Sequence, residues 1–323
     1  MNESLRIAIL DDYQQVALRY GPWERLSGRA ELTVFSDNLA DEDALAERLR
    51  PFDVVCLMRE RTRITDSLLA RLPRLKLIVT SAMVNAAVDI PAVQRRGIVM
   101  CGTSAEHTGT PELTWMHILA LARNLPAEQE NLQRGGWQAA VGRDLYGSTL
   151  GVLGLGRVGS RVARVGAAFG MRVIAWSPRL TPERAAEHEA ECVTKEELFR
   201  RADFVTVSMK FRPSTVGLVG ADEIALMKPT AYLINTARAT IVDEDALLAA
   251  LRSGRIAGAG IDVFDPEPLR SDHPFRALPN VLITPHIGYV TDATYRGFYT
   301  DTVEDIEAWL AGQPIRLVQP PTD

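Results

Sequence analysis

Cysteine is scarce in this 323-residue sequence: Cys56, Cys101 and Cys192 are odd in number and far apart. With no CxxC spacing there is no sign of a disulfide framework, a thiolate zinc site or a redox motif, and the pattern suits reduced thiols in a cytoplasmic protein. Histidine is nearly as sparse, and His107, His117, His188, His273 and His286 form no HExxH or similar ligand pair, so no metal is expected. No run approaches the roughly eighteen apolar residues that a spanning helix needs. The start, Met1 to Arg6, lacks the basic and apolar regions of a secretory signal. Positive charge is not in excess either. A formal net charge of -5 disfavours a polyanion-binding surface, so neither nucleic acid nor membrane is expected as a partner. Repeats of solenoid period and low-complexity tracts are also missing.

What is present suffices for ordinary cores: 46% of the residues are hydrophobic, and the length suits two domains. Short apolar strands at Arg6–Leu10, Glu31–Phe35, Val54–Met58, Leu75–Thr80 and Ile98–Cys101 alternate with helical segments such as Asp41–Leu49. That alternation predicts parallel βαβ units, an α/β domain with no glycine fingerprint of its own. Thr110-Pro111-Glu112 then opens a long helix whose segment Leu113–Arg123 is apolar nearly all round, as in a helix buried between domains or subunits.

The stretch from Ser148 to Ser177 organises the second half. The apolar run Leu150–Leu153 leads into Gly154-Leu155-Gly156-Arg157-Val158-Gly159, a G-x-G-x-x-G between a strand and a helix. Val158, Val162, Val165 and Phe169 then fall at helical spacing on one face, Gly170 stands at the stop, and Met171–Trp176 reads as a second strand. In a dinucleotide-binding unit Gly154 makes the tight turn, Gly156 lets the backbone approach the pyrophosphate, and Gly159 lets the helix pack close to the sheet. The helix N-terminus offers free N–H groups to the phosphates. The second strand ends Trp176-Ser177-Pro178-Arg179, with no carboxylate for the ribose hydroxyls. Ser177 and Arg179 suit the 2′-phosphate of NADP, and Lys210 could assist; the alternative is NAD held through Ser177 and backbone with Arg179 solvated.

Further strands are predicted at Phe204–Ser208, Ala231–Asn235, Ala257–Val263 and Val281–Thr284, with helices at Ala221–Leu226 and Glu244–Arg252. Arg238, Glu267 and His286 each follow one of these strands, and ligands of open α/β sheets bind at the carboxyl ends of strands. A cation, a carboxylate and an imidazole at one edge are the parts that hydride chemistry on a carbonyl needs. His273 competes for the acid/base role but has no strand before it. A last helix, about Ala293–Leu310, and the apolar end Ile315–Val318 are too small for a domain and are expected to rejoin the first. The expected division is therefore a substrate domain of residues 1–103 completed by 290–323, and a Rossmann domain of residues 104–289.

At these residues the sequence resembles the D-isomer-specific 2-hydroxyacid dehydrogenase family. The blocks are Asn235-Thr236-Ala237-Arg238, Gly258–Phe264 leading to Glu267-Pro268-Leu269, and Thr284-Pro285-His286-Ile287-Gly288. The resemblance implies two Rossmann-like or flavodoxin-like parallel-sheet domains with a cleft between them, usually as a homodimer, acting with NAD(P) on a small 2-keto or 2-hydroxy acid. It implies that Arg238 clamps the substrate carboxylate, that His286 is the acid/base, and that Glu267 hydrogen-bonds its imidazole. Asp262 would meet the nicotinamide carboxamide, Arg157 and Val158 the pyrophosphate, and Ser208, Met209, Thr236, Ala237 and Gly288 the rest of the cofactor. Arg59 resembles an arginine that reaches the substrate from the smaller domain. Ser81-Ala82-Met83-Val84-Asn85 replaces the usual glycine-rich substrate loop, so Met83, Val84 and Asn85 become substrate-binding candidates. Glyoxylate, hydroxypyruvate, phosphoglycerate and bulkier 2-keto acids stay open as substrates. The other reading is a non-enzymatic, dinucleotide-sensing scaffold of the same fold, like the corepressors of the family.

Overall fold

The computed structural model describes residues 4–104 and 108–320. Residues 1–3, 105–107 and 321–323 lie outside that range, His107 among them. The chain divides into two compact units, Met1–His107 with Thr291–Asp323, and Thr108–Val290. Ser104, expected in the second domain, is held in the first, its N–H and Oγ both donating to Asp301 Oδ2 at 2.7 and 3.0 Å.

The first unit is a five-stranded sheet of β1 (Leu5–Ile9), β2 (Ala30–Val34), β3 (Val54–Leu57), β4 (Leu77–Thr80) and β5 (Val99–Gly102). They lie in the order β2-β1-β3-β4-β5, all parallel. β3 and β4 are buried along their whole length, as near-continuous Val, Ile and Leu runs require when both faces are covered. The helix Asp292–Leu310 returns to this unit, setting Tyr295 edge-on to Tyr20 and packing Tyr299 on Trp23. The chain then lies along β5, where Val318 N–H donates to Met100 and Gly102 N–H to Arg316, both at 2.9 Å.

The second unit is a seven-stranded parallel sheet of β6 (Thr149–Leu153), β7 (Arg172–Trp176), β8 (Glu191–Cys192), β9 (Phe204–Val207), β10 (Tyr232–Asn235), β11 (Gly258–Ile261) and β12 (Val281–Ile283). Its order is β12-β11-β10-β9-β6-β7-β8, so the winding reverses between β6 and β9. One core lies on each face, around Phe199, Leu233 and Leu247 on one side and Trp115, Ile118 and Val162 on the other.

One expected pattern fails. The helix Arg157–Ala168 buries Gly159, Val162, Ala163 and Gly166, while Val165 and Phe169 are exposed. The small residues face the sheet because the approach is close: a Cβ on Gly166 would come within 2.7 Å of Leu150. Phe169 instead covers Trp115, with ring centroids 5.1 Å apart. Elements with no counterpart in the sequence reading include the two-residue strand β8, the helix Lys195–Arg201 and the helix Leu125–Gln133, the last of which buries none of its side chains.

Cys56 and Cys101 are buried, and burial pushes the Cys101 thiol up to about 12, which leaves it unreactive. Beside them Asp305 is fully buried in the returning helix, with Oδ1 accepting from Arg316 Nε at 2.9 Å and Oδ2 without a hydrogen-bond partner among the described residues. Burial raises its carboxyl from 3.8 to about 7 against the pull of Arg316, and Asp301 and Glu304 add to the rise. A folded value above the unfolded one means that the stabilising contribution is complete at acid pH and is lost as pH rises through about 7. The melting temperature of the wild type minus that of Asp305→Asn is therefore expected to fall between about pH 5 and about pH 8. Thermal melts showing that difference rising with pH would contradict this assignment.

Candidate functional site

The glycine turn lies at the carboxyl end of β6, beside the reversal of the sheet, where open α/β folds bind nucleotides. Gly154 adopts φ +102°, closed to ordinary L residues, and a Cβ on it would meet Met209 N at 2.9 Å. A Cβ on Gly159 would lie 2.0 Å from the Gly154 carbonyl oxygen. Gly156 differs, since a Cβ there meets nothing within 4 Å. The helix starting at Arg157 has no side-chain cap and no acidic residue in its first turn, so its leading N–H groups stay open to an anion. Ser177 closes the other side, its Oγ accepting from Leu155 N–H at 3.0 Å. Arg179 is exposed, and the buried Ser208 Oγ has no hydrogen-bond partner among the described residues. An open cradle at Gly156, free helix N–H groups and an unpaired hydroxyl on the neighbouring strand end fit a dinucleotide pyrophosphate.

Arg238 follows β10 in an extended conformation and leads a 3-10 turn. Asn235 braces it: its Nδ2 donates to the Arg238 carbonyl at 3.0 Å and its Oδ1 accepts from Ala237 N–H at 3.1 Å. The guanidinium donates to the Ala237 carbonyl at 2.7 Å. Thr236 is buried, 2.7 Å from the hydroxyl of Thr114 on the long helix Gly109–Ala122.

Glu267 and His286 meet. Glu267 Oε2 lies 2.7 Å from His286 Nδ1, and Oε1 accepts from Phe264 N–H at 2.9 Å. An ionised carboxylate only accepts, so the ring donates Nδ1–H and Nε2 is left to exchange a proton with a ligand. His286 holds φ +52°, a left-handed conformation uncommon for a side-chain-bearing residue. Asp262, wholly buried, imposes it: Oδ1 accepts from Ile287 N–H and Oδ2 from Gly288 N–H, both at 2.9 Å. Oδ1 also accepts from the Thr284 hydroxyl at 2.5 Å. Burial raises the Asp262 carboxyl, opposed by these donors and by His286. Three of a carboxylate's roughly four lone-pair sites are thus engaged, leaving about one for a cofactor amide.

Behind Thr284 stands His117, which the sequence reading set aside as a non-ligand. Its ring is fully buried, with Nε2 3.0 Å from Thr284 Oγ1, and burial lowers it to about 4. Because the Thr284 proton goes to Asp262, neutral His117 donates from Nε2 and completes a chain into the histidine loop. A histidine inside an otherwise apolar helix was the available signal. Tyr289, also unmarked, is buried with its ring edge-on to His286, centroids 5.4 Å apart. His273 instead caps a 3-10 turn and lies 3.0 Å from Glu244, a structural task.

In the first unit, Arg59 follows β3 at φ +54°, its N–H donating to Ser81 Oγ at 2.7 Å and a guanidinium N–H to the Ser81 carbonyl at 3.4 Å. Asn85 is buried and bonded within its own loop. Its Nδ2 donates to the Arg59 carbonyl at 2.8 Å and to Thr80 Oγ1 at 2.9 Å, and its Oδ1 accepts from Ala87 N–H at 2.9 Å. Met83 and Val84 are exposed. Among the described residues no cluster of His, Cys, Asp or Glu could hold a metal, and no helix is long and apolar enough to cross a membrane.

The second unit is thus a nucleotide-binding sheet of the doubly wound class, with a carboxylate-bound histidine and an arginine after its late strands. A family model described as D-isomer specific 2-hydroxyacid dehydrogenase, NAD binding domain, matches residues 115–288. The chain belongs to the D-isomer-specific 2-hydroxyacid dehydrogenase family. It is 35% identical over 281 residues to a glyoxylate reductase of Thermococcus gammatolerans, covering 84% of each chain. It is 36% identical over 276 residues to a D-3-phosphoglycerate dehydrogenase of Methanocaldococcus jannaschii, covering 84% of this chain and 52% of the other. It therefore spans about half the length of the phosphoglycerate dehydrogenases it matches. The crystal structure of a phosphoglycerate oxidoreductase from Vibrio cholerae superposes with TM-score 0.91 at 37% identity, covering 95% of this chain and 99% of that one.

The glycines separate packing from ligand approach. Gly159→Ala is expected to lower the melting temperature, because the Gly154 carbonyl blocks its Cβ. Gly156→Ala is expected to leave the melting temperature within about a degree and to weaken dinucleotide binding by at least about tenfold, as followed by NAD(P)H fluorescence titration. Unchanged affinity in Gly156→Ala would contradict the cradle.

Proposed function

We propose that the protein is an NAD(P)-dependent oxidoreductase that transfers hydride between the cofactor and a small 2-hydroxy or 2-keto acid. The observation that carries this reading is the 2.7 Å contact between Glu267 and His286 on the sheet edge that also bears the glycine turn. Arg238 clamps the substrate carboxylate and polarises the adjacent carbonyl oxygen. His286 gives that oxygen a proton from Nε2 in reduction and takes it back in oxidation, and Glu267 offsets the imidazolium charge. The bound nicotinamide supplies or accepts the hydride. Leading N–H groups at Arg157 and Val158 hold the pyrophosphate, Ser208, Met209, Thr236, Ala237 and Gly288 line the cofactor, and Asp262 meets the carboxamide. Within the first unit, Arg59, Met83 and Val84 are the candidates for substrate contact, and Asn85 positions their loop.

NADP is the preferred cofactor in this reading, supported by the exposed Arg179 and Lys210 and by the lack of a carboxylate after β7. A cytoplasmic homodimer is the proposed form. Met116, Leu119, Val165 and Phe169 leave exposed apolar surface on the helices Gly109–Ala122 and Arg157–Ala168 and just beyond, and Trp137, Val141 and Tyr146 are exposed as well.

Oxidation of NADPH and NADH with a panel of 2-keto acids tests the reading. His286→Ala is expected to lower kcat by at least about a hundredfold, Arg238→Ala to raise KM as well as lower kcat, and Arg179→Ala to weaken NADPH more than NADH. Full activity in His286→Ala would overturn the proposed chemistry. A wild-type preference for NADH would remove the NADP assignment alone.

A further inference from the structure

We infer that His117 is a positioning residue for the reaction: from the long helix it fixes the Thr284 hydroxyl, which fixes Asp262 and through it the direction of the His286 ring. The inference rests on the proposed reductase reading and adds to it a side chain that is wholly buried.

The helix Gly109–Ala122 is hydrophobic or small at nearly every position, yet Thr110, Thr114 and His117 stand at i, i+4 and i+7 and form one polar stripe. Each meets a loop that carries a proposed reacting group. Thr110 Oγ1 donates to the carbonyl of Gly288, just past His286, at 3.2 Å. Thr114 Oγ1 lies 2.7 Å from the hydroxyl of Thr236, just before Arg238. His117 Nε2 lies 3.0 Å from the hydroxyl of Thr284, just before His286. A histidine buried only for packing needs no such company. The stripe ties the loops after β10 and β12 to one rigid element, and all of it lies within the second unit.

Proton count sets the direction of the chain. Thr284 has a single hydroxyl proton, and at 2.5 Å from Asp262 Oδ1 that proton goes to the carboxylate. The His117 ring is neutral, since burial pushes it down to about 4. Its Nδ1 has no hydrogen-bond partner among the described residues and lies where a Cβ on Gly260 would come within 2.7 Å, surroundings that suit a bare nitrogen. Nε2–H therefore donates to Thr284 and restrains the hydroxyl from turning to another acceptor. An apolar side chain in its place would fill the space without that restraint. Asp262 would then keep only the Ile287 and Gly288 amides as fixed donors, and the left-handed turn they impose at His286 would loosen. Arg238 is braced separately by Asn235, so substrate binding should survive the change.

The test compares the wild type, His117→Leu, His117→Gln and Thr284→Val by 2-keto acid turnover and by NMR-detected hydrogen exchange at the Ile287 and Gly288 amides. His117→Leu is expected to lower kcat by about tenfold with KM kept within about twofold, and to speed exchange at both amides by about tenfold or more. His117→Gln, whose side-chain amide can donate to Thr284, should recover most of both. Thr284→Val removes the same link from its other end and should reproduce both losses, which keeps the test open if His117→Leu does not fold. Unchanged kcat and exchange overturn the inference while leaving the reductase reading intact. A loss in one readout without the other, or losses that His117→Gln does not reduce, also overturn it. Failure of the wild type to turn over any 2-keto acid overturns the reductase reading and this inference with it.

Discussion

The contact between Glu267 and His286 is the constraint on which the second unit's chemistry depends, and most of its neighbours hold it in place. An imidazole paired to a carboxylate through one nitrogen has the other fixed in direction and tautomer. The pairing survives only if the histidine backbone stays left-handed, which costs free energy unless the surroundings impose it. Asp262 imposes it by accepting N–H groups of both residues after His286. Thr284 and His117 hold Asp262 from behind, and Gly260 leaves room for the His117 ring, since a Cβ there would lie 2.7 Å from Nδ1. Buried hydrogen bonds chained in this way favour one arrangement where an apolar core would tolerate several.

The sheet supplies the address. Every pairing in both sheets is parallel, so helices cover the faces and loops gather at the strand ends. In the second unit the winding reverses between β6 and β9, so the glycine turn and the loops after β10, β11 and β12 share one edge. The first unit has the strand order associated with flavodoxin-like folds. Its carboxyl edge presents Arg59 and a loop locked by Ser81, Thr103 and Asn85.

Much of this was legible in the sequence, for physical reasons. Buried parallel strands are continuous apolar runs, and the glycine turn must contain glycine where a Cβ would strike Gly154 or Met209. The arginine, glutamate and histidine stand beside strand ends that periodicity marks. What escaped depends on packing in three dimensions. The helix Arg157–Ala168 reads as a valine stripe, yet glycine and alanine make the close approach to the sheet, and no hydrophobicity pattern favours them. The loop position of Asn85 is plain in the sequence, but the backbone groups that its amide satisfies are brought together only by the folded turn. His117 contacts Thr284 from 167 positions away, a pairing with no local trace. Helix Leu125–Gln133 buries nothing in its own chain, so it carries no amphipathic signature.

The most direct measurement of the central claim is the protonation pattern of the His286 ring by long-range proton–nitrogen NMR on imidazole-labelled protein, with His286→Ala to assign the signal. The account predicts that the neutral ring carries its proton on Nδ1, donated to Glu267, and leaves Nε2 unprotonated. It also predicts that Glu267→Ala abolishes this preference. A neutral ring protonated on Nε2, or a pattern indifferent to Glu267→Ala, would contradict it.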